Sequence, residues 1–297
     1  MTKIIDLEIG APKIGRAKEI GEAIRGRPGS PFPEALPRPL GYGFDNYDLI
    51  FGSGYADADT KPAVPLSEVV QEMDTAGVEF GNLVGLPNDE IGKTHQEFPD
   101  RFKIFAWLDP LDGMRAVREL ERLVKEEGAD GFRVSPLYNG LEASDRRYYP
   151  LYAKCCELNI PVRLYTAMTY ANDRPYELGH PRHLDTIAID FPELRMVAGL
   201  SGWPWIGDMV GILRRHPNLY CDTAAHRPRH FGTPGSGWEQ FLQFGNTLLQ
   251  DKVMAGFSRY MFGCGYAELI GEYEALPLKE HVLEKWLYGN ALNFFGE

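Results

Sequence analysis

Short apolar runs rich in β-branched residues alternate along the chain with longer segments in which apolar residues recur every three or four positions. The first pattern predicts buried strands and the second predicts amphipathic helices with one face toward the core. The strand-like runs are Lys3–Ile9, Val78–Leu86, Phe102–Leu108, Gly131–Ser135, Pro161–Thr166, Arg195–Leu200, Asn218–Thr223 and Tyr260–Gly263. The helical patterns are Leu66–Thr75, Asp112–Glu127, Arg147–Leu158, Arg182–Asp190, Trp205–Arg215, Trp238–Leu249 and Leu278–Phe295.

This alternation predicts an α/β protein with a parallel sheet closed on itself, a single (β/α)8 TIM barrel that occupies residues 1–297. The length of 297 residues is typical of such a barrel with insertions. A doubly wound open sheet is the alternative. No Gly-x-Gly-x-x-Gly motif follows the first strand, so the dinucleotide-binding form of that fold lacks support.

Residues 26–62, after the first strand, interrupt the alternation with a segment rich in proline, glycine and aromatic residues. Long insertions of this kind are usually functional or disordered, and disordered segments are poor in aromatic residues. We therefore expect an ordered loop over the C-terminal end of the barrel, acting as a lid or a subunit contact. A surface loop without a role is the alternative.

Charge and composition restrict the partners. The net charge is −11 and the basic residues form no cluster, which argues against binding nucleic acid. A few local arginines can still attract a small anion. The longest apolar stretch, residues 196–207, is shorter than the roughly 20 residues that span a bilayer. The first residues lack a signal-peptide pattern and the four cysteines lack metal or disulfide spacing, so we expect a cytoplasmic protein.

Several stretches in a fixed order resemble motifs of one known family. They are "IID" at Ile4–Asp6, "MDTAGVEFGNLVG" at Met73–Gly85, "HLDTIAIDFPELRMV" at His183–Val197, "YMFGCGYA" at Tyr260–Ala267 and "LYGNALNFFG" at Leu287–Gly296. Together they resemble the amidohydrolase-2 family, which includes metal-dependent hydrolases, aromatic decarboxylases and dicarboxylate lactonases. The resemblance covers most of the chain and implies a TIM barrel of the amidohydrolase superfamily.

The chain departs from the family at the positions of its metal ligands. The two histidines of strand 1 correspond to Glu8 and Gly10, the histidines of strands 5 and 6 to Tyr165 and Leu200, and the aspartate of strand 8 to Gly265. A zinc site needs about three or four nitrogen, oxygen or sulfur ligands. We therefore expect no catalytic metal and no other cofactor.

Alternation along strand 5 places Arg163 on the same inward side as Tyr165. A buried arginine needs a partner, and Glu8 on strand 1 is the expected one. Glu8 is then a candidate base that could also position a water molecule. The alternative is an ion pair that only fills the barrel in place of the metal.

Other candidate residues lie at the ends of the predicted strands, where TIM barrels carry their active sites. His226 is the preferred general acid or base because an unperturbed histidine titrates near neutral pH, and Asp222 is a further catalytic candidate. For each of these the alternative is a structural ion pair, a solvated loop side chain or a packing residue. The predicted substrate-binding residues are Arg133, Arg163, Tyr165, His180, Trp203 and Tyr266.

Three functions fit these residues. The first is a metal-independent hydrolase of a small carboxylated substrate such as a lactone, with arginines that bind the carboxylate. The second is a decarboxylase or hydratase of an aromatic or enol carboxylic acid. The third is a non-catalytic barrel. We expect a small-molecule carboxylate as partner and a homodimer or larger homo-oligomer as the assembly.

Overall fold

The computed structural model describes residues 3–10, 64–169 and 174–296. The insertion at residues 26–62 and the role expected for it lie outside these residues. No helix within the described ranges is long and apolar enough to cross a membrane.

The described residues contain nine strand segments, and every hydrogen-bonded pair of them is parallel. They form a run of three, β1 to β3, and a run of six, β4 to β9, each in chain order. The segments are β1 Ile4–Ile9, β2 Val78–Leu83, β3 Phe102–Lys103, β4 Phe105–Trp107, β5 Gly131–Val134, β6 Val162–Tyr165, β7 Met196–Gly199, β8 Leu219–Asp222 and β9 Val253–Met254.

Two connections join these runs into one closed barrel. β3 and β4 are two parts of one strand separated by Ile104, whose backbone N–H donates to Asp130 Oδ2 at 2.8 Å. At the other seam, the backbone N–H of Leu7 donates to the carbonyl oxygen of Ala255 at 2.9 Å, which ties β1 to the segment after β9. Nine segments thus make the eight strands of a (β/α)8 barrel, and the predicted fold class is confirmed.

Helices connect the strands and cover the outside of the barrel. The α-helices are α1 Leu66–Ala76, α2 Ile91–Glu97, α3 Met114–Glu126, α4 Pro136–Asn139, α5 Tyr149–Glu157, α6 Arg182–Asp190, α7 Ile206–Arg215, α8 Glu239–Gly245, α9 Arg259–Phe262, α10 Tyr266–Glu274, α11 Glu280–Glu284 and α12 Asn290–Phe295. A π-helical turn, Lys285–Gly289, joins α11 to α12. Short 3-10 turns lie at Asn88–Glu90, Pro110–Asp112, Leu200–Gly202 and Pro228–His230.

The prediction of the last strand is wrong. Residues 260–263 do not form a strand, because Arg259–Phe262 is the short helix α9, and the last strand is Val253–Met254. Ser258 has a left-handed backbone, with φ of 47°, which ends the extended chain before the aromatic residues begin. The residue that follows this strand beside Glu8 is therefore Ser258, not Gly265, and its backbone N–H donates to the Glu8 carbonyl oxygen at 3.2 Å.

The barrel interior is filled at its N-terminal end. Ile5 and Leu7 of β1 pack there with side chains from β2, β7 and β9, and Phe294 of α12 packs against the same cluster. The helices instead cover a larger core formed by the outward-facing strand residues. Space for a small molecule therefore remains at the C-terminal ends of the strands, where TIM-barrel enzymes place their active sites.

Candidate active site

A cavity of ≈ 440 Å³ opens at the C-terminal ends of the strands. This volume is within the usual range for small-molecule sites. Its lining residues are Glu8, Arg133, Ser135, Leu137, Tyr138, Arg163, Tyr165, Ala167, Met168, Leu200, Trp203, Ala225, His226, His230, Ser236, Trp238 and Met261.

A bulge in β1 turns Glu8 toward this cavity. The pairing of β1 with β2 advances three residues, from Asp6 to Ile9, while β2 advances two, from Gly81 to Leu83. The Asp6 side chain accepts a hydrogen bond from the Glu8 backbone N–H at 2.8 Å, which holds the extra residue in place. Bulges of this kind commonly re-aim a side chain beside an active site.

Arg163 is buried between two carboxylates. Its Nη2 lies 2.7 Å from Glu8 Oε2 and its Nε lies 2.7 Å from Asp222 Oδ2. The predicted pair of Glu8 and Arg163 is confirmed, whereas the second partner was not foreseen. Asp222 is fully buried and its Oδ1 accepts the backbone N–H groups of Leu200 and Ala224. Asp222 lies beneath the cavity rather than in its wall, so its geometry suits holding Arg163 rather than removing a proton from a substrate.

Arg133 is the second cation in the cavity wall, and its electrostatic surroundings differ. Its position in β5 is in register with Arg163 in β6, so both side chains face the interior. Its guanidinium lies 6.0 Å from the centre of the Tyr138 ring. Within the described ranges, no carboxylate lies at ion-pair distance from Arg133, in contrast to Arg163. The positive charge of Arg133 therefore remains available to an anionic ligand.

Aromatic side chains form another wall and determine the state of His226. The His226 ring centre lies 5.8 Å from Trp203 and 4.9 Å from Trp238. Burial, with a smaller contribution from His230, lowers the pKa of His226 to about 3. The prediction of His226 as general acid or base assumed an unperturbed pKa, whereas burial lowers this pKa because the charged form is removed from water. His226 is a neutral side chain of the cavity wall and a weak base.

Several polar atoms of the wall are buried without a hydrogen-bond partner among the described residues. They are Glu8 Oε2, Ser135 Oγ, Arg163 Nη2 and His226 Nε2. The contact between Glu8 and Arg163 is short but lacks the alignment of a good hydrogen bond. Buried polar groups are normally satisfied, so these atoms can accept or donate hydrogen bonds to water or to a polar ligand in the cavity.

Two predicted substrate-binding residues lie outside the cavity wall. The His180 ring packs against Trp205 at a tilt of 39° with ring centres 4.4 Å apart, and its Nδ1 accepts the Arg182 backbone N–H. Tyr266 lies on α10, and its hydroxyl donates to Asp6 Oδ2 at 2.9 Å. Both expectations assumed strand-end positions, which neither residue has in the barrel. Arg133, Arg163, Tyr165 and Trp203 do line the cavity.

Sequence reasoning missed several residues of the wall, among them Ser135, Tyr138 and Trp238. Ser135 and Tyr138 follow β5 directly, and Trp238 precedes α8. The position of Ser135 at the end of a strand was a usable signal. Trp238 could not be found in this way, because it precedes a helix rather than ending a strand, and only the tertiary fold brings it to the cavity.

The side chains do not gather into a metal site. Within residues 3–10, 64–169 and 174–296, no three histidine, cysteine, aspartate or glutamate side chains are placed to hold a metal ion. Glu8 is the one carboxylate among the described wall residues, and it already faces Arg163. This donor set does not fit a divalent metal.

A closed parallel barrel with a polar cavity at its C-terminal end defines a TIM-barrel enzyme scaffold. The family model Amidohydro_2, described as amidohydrolase, matches residues 36–296, and the chain belongs to this family.

Three known proteins illustrate the relationship. The decarboxylase orsB of Emericella nidulans is 26% identical over 180 residues, covering 57% of this chain and 51% of that protein, so this match spans about half of the relative. The 2-amino-3-carboxymuconate-6-semialdehyde decarboxylase of Dictyostelium discoideum is 24% identical over 294 residues, covering 84% of this chain and 81% of that protein. The solved dihydroxybenzoic acid decarboxylase of Polaromonas sp. JS666, with bound manganese, has a TM-score of 0.65 at 16% identity and covers 100% of this chain and 97% of its own.

Proposed function

We propose that this amidohydrolase-family protein is a lyase that removes the carboxyl group of a small aromatic or enol carboxylic acid. The observation that carries the proposal is Arg133, which has no carboxylate partner among the described residues, in an aromatic cavity that also contains the Glu8–Arg163 pair. The decarboxylases among its relatives support the same reaction.

The charges of the site assign the substrate carboxylate to Arg133. Arg163 is balanced in part by Glu8 and Asp222, each 2.7 Å away, so Arg133 attracts an incoming anion more strongly. Arg133 has no such balance among the described residues, and a guanidinium binds a carboxylate through two parallel N–H donors. The substrate ring or enol then lies against Trp203 and Trp238, whose faces exclude water from it.

Glu8 carries the proton in this scheme. The proton moves from Glu8 to the carbon that bears the substrate carboxylate, and a new C–H bond forms with the electron pair of the ring or enol. The C–C bond to the carboxylate then breaks, its electron pair restores the unsaturated system, and CO2 leaves. Solvent returns one proton to Glu8, so the net reaction consumes a proton and releases CO2.

The lactone hydrolysis expected from the sequence has weaker support. It requires a base that activates water, and the three candidates are poorly placed for it. Glu8 faces Arg163, the Asp222 oxygens accept the hydrogen bonds described above, and burial makes His226 a weak base. The decarboxylase alternative needs an acid and an anion site, which Glu8 and Arg133 offer.

A substrate panel tests the proposal. Hydroxybenzoates, enol acids and β-keto acids are incubated with the protein, CO2 release is measured, and lactones are assayed for ring opening. We expect Arg133→Met to raise KM by about tenfold or more, the value of one lost charge-assisted interaction. We expect Glu8→Gln to lower kcat by about 10²–10⁴-fold, the usual contribution of a general acid.

Arg115→Met is the matched control, because that arginine lies on the exposed surface of α3 and forms an ion pair with the neighbouring Asp112. It should leave both constants unchanged. Ring opening of a lactone without CO2 release from any acid would replace this proposal with the hydrolase.

A further inference from the structure

Residues from three strands surround the buried guanidinium of Arg163, and we call this set of residues the Arg163 seat. Asp222 at the end of β8 holds Nε, Glu8 in the bulge of β1 faces Nη2, and Gly199 at the end of β7 lies against the flat face of the group. A Cβ atom on Gly199 would lie 3.2 Å from both Cζ and Nη2 of Arg163. Because Gly199 has no side chain, the guanidinium has room beside it. Arg163 as a whole residue is only 3% exposed.

The seat lies at the end of the barrel where the family resemblance locates metal ligands. The resemblance assigns those positions, apart from Glu8, to Gly10, Tyr165, Leu200 and Gly265, none of which is a usual ligand for a divalent metal. The remaining carboxylate of the wall, Glu8, is already matched with a positive charge. The side chains at these positions are therefore unsuited to coordinating a metal ion, but the site still contains one fixed and buried cation, Arg163.

We propose that the Arg163 guanidinium, rather than a metal ion, is the resident cation of this site. Arg163 lines the cavity, and its buried Nη2 atom lacks a hydrogen-bond partner within the described ranges. It can donate to a substrate oxygen on which negative charge develops, and it needs no reorganisation because Asp222 and Gly199 already fix it. Asp222 and Gly199 are positioning residues in this arrangement, since they act through Arg163.

The role in turnover rests on the proposed decarboxylation, but the identity of the cation does not. A first experiment therefore measures the metal content of the purified protein by elemental analysis, before and after chelation, and titrates Mn²⁺ and Zn²⁺ by calorimetry. We expect far less than one metal ion per chain and no saturable binding. A stoichiometric manganese or zinc that resists chelation would overturn the proposal, whatever the protein does to carboxylic acids.

A second experiment tests the seat itself with benzoate as the probe, using the fluorescence of the wall tryptophans as the binding signal. Gly199→Ala should push the guanidinium aside and weaken benzoate binding by about fivefold or more, with EDTA making no difference. Gly211→Ala is the control, because a Cβ atom at Gly211 meets nothing within 4 Å. Equal benzoate affinity of the two variants would refute the positioning role.

A third experiment separates charge from shape by comparing Arg163→Lys with Arg163→Met. Lysine keeps the positive charge but cannot bridge Glu8 and Asp222 as a planar fork. We expect Arg163→Lys to retain measurable turnover with a reduced kcat and a nearly unchanged KM, and Arg163→Met to lose it. If the two variants have equal kcat, the fixed charge has no role in turnover, while the metal analysis still tests the cation independently.

Discussion

Arg163 and Asp222 are joined by a contact of 2.7 Å between Nε and Oδ2, with both side chains buried and on alternate strands of the barrel. A buried charge pair contributes little net stability as a unit, but removing one partner leaves the other charge uncompensated. The contact therefore makes the position of the guanidinium depend on a residue that does not line the cavity.

We expect Asp222→Ala to lower the free energy of unfolding by about 3–5 kcal/mol, because Arg163 loses one of its two carboxylates and two backbone N–H groups lose their acceptor. Asp222→Asn keeps an acceptor and should cost less. Urea denaturation followed by circular dichroism measures both variants. A loss below about 1 kcal/mol for the alanine variant would show that solvent compensates Arg163.

The low pKa of His226 predicts a specific acid sensitivity. The unfolded side chain titrates near 6.5, whereas burial holds the folded pKa at about 3, so between these values the unfolded chain binds a proton that the folded chain does not. Stability from this residue is thus fully present above about pH 6.5 and is lost as the pH falls toward 3. We expect His226→Gln to reduce the loss between pH 7 and pH 4 by on the order of 1–3 kcal/mol, after allowance for solvent screening.

Denaturation midpoints at several pH values test this effect. His281→Gln is the control, since His281 lies on the exposed surface beside Gln250. If stability falls equally with decreasing pH in the wild type and in His226→Gln, His226 does not determine this acid sensitivity.

Two tyrosines allow residues that line the cavity to be distinguished from residues that only stabilise the fold around it. The Tyr266 hydroxyl donates to the buried Asp6, and the Tyr165 hydroxyl donates to the Met168 carbonyl oxygen at 2.8 Å. Each Tyr→Phe variant should lose about 1 kcal/mol of stability, the usual net value of one hydrogen bond. Only Tyr165→Phe should change KM, because only Tyr165 lines the cavity. A raised KM for Tyr266→Phe at unchanged fold would place that residue back among the substrate contacts.

Glycine substitutions test the packing of the barrel. A Cβ atom on Gly131 would overlap the Phe105 ring and lie 2.7 Å from the Pro161 carbonyl oxygen, so Gly131→Ala should destabilise the fold by about 1–3 kcal/mol. Gly211 lies within α7 with open space around it, so Gly211→Ala should stabilise by about 0.5–1 kcal/mol. Thermal unfolding measures both shifts. Equal melting temperatures would contradict the packing described for β5.

Much of the fold follows from periodicity in the sequence. The helix at Arg182–Asp190 was predicted with its observed bounds, because one of its faces is consistently apolar. The last strand was missed because Val253–Met254 is short and apolar on both faces, so it shows no alternation. The aromatic residues after Ser258 looked more like a strand, yet the backbone at Ser258 turns away from the sheet.

Part of the candidate site was predicted from alternation along a strand and from strand-end positions. Alternation found Arg163, whereas Glu8 was found through the family resemblance, because the β1 bulge that turns it inward breaks the alternation. It could not find Asp222 as the second partner, because that contact spans 59 residues and depends on the curvature of the closed barrel. Nor could it find the pKa of His226, which depends on two tryptophans from separate loops.

The seam between β1 and the segment after β9 also affects how the chain is made. Two hydrogen bonds join residues about 250 positions apart. The Leu7 N–H donates to the Ala255 carbonyl oxygen, and the Phe257 N–H donates to the Asp6 side chain. During synthesis one edge of the first strand therefore lacks its hydrogen-bonding partner until the last strand has left the ribosome. Contacts of such long sequence separation form slowly, and open strand edges invite aggregation. Yield in the cell should then depend on chaperones that shield this edge until the ring of strands is complete.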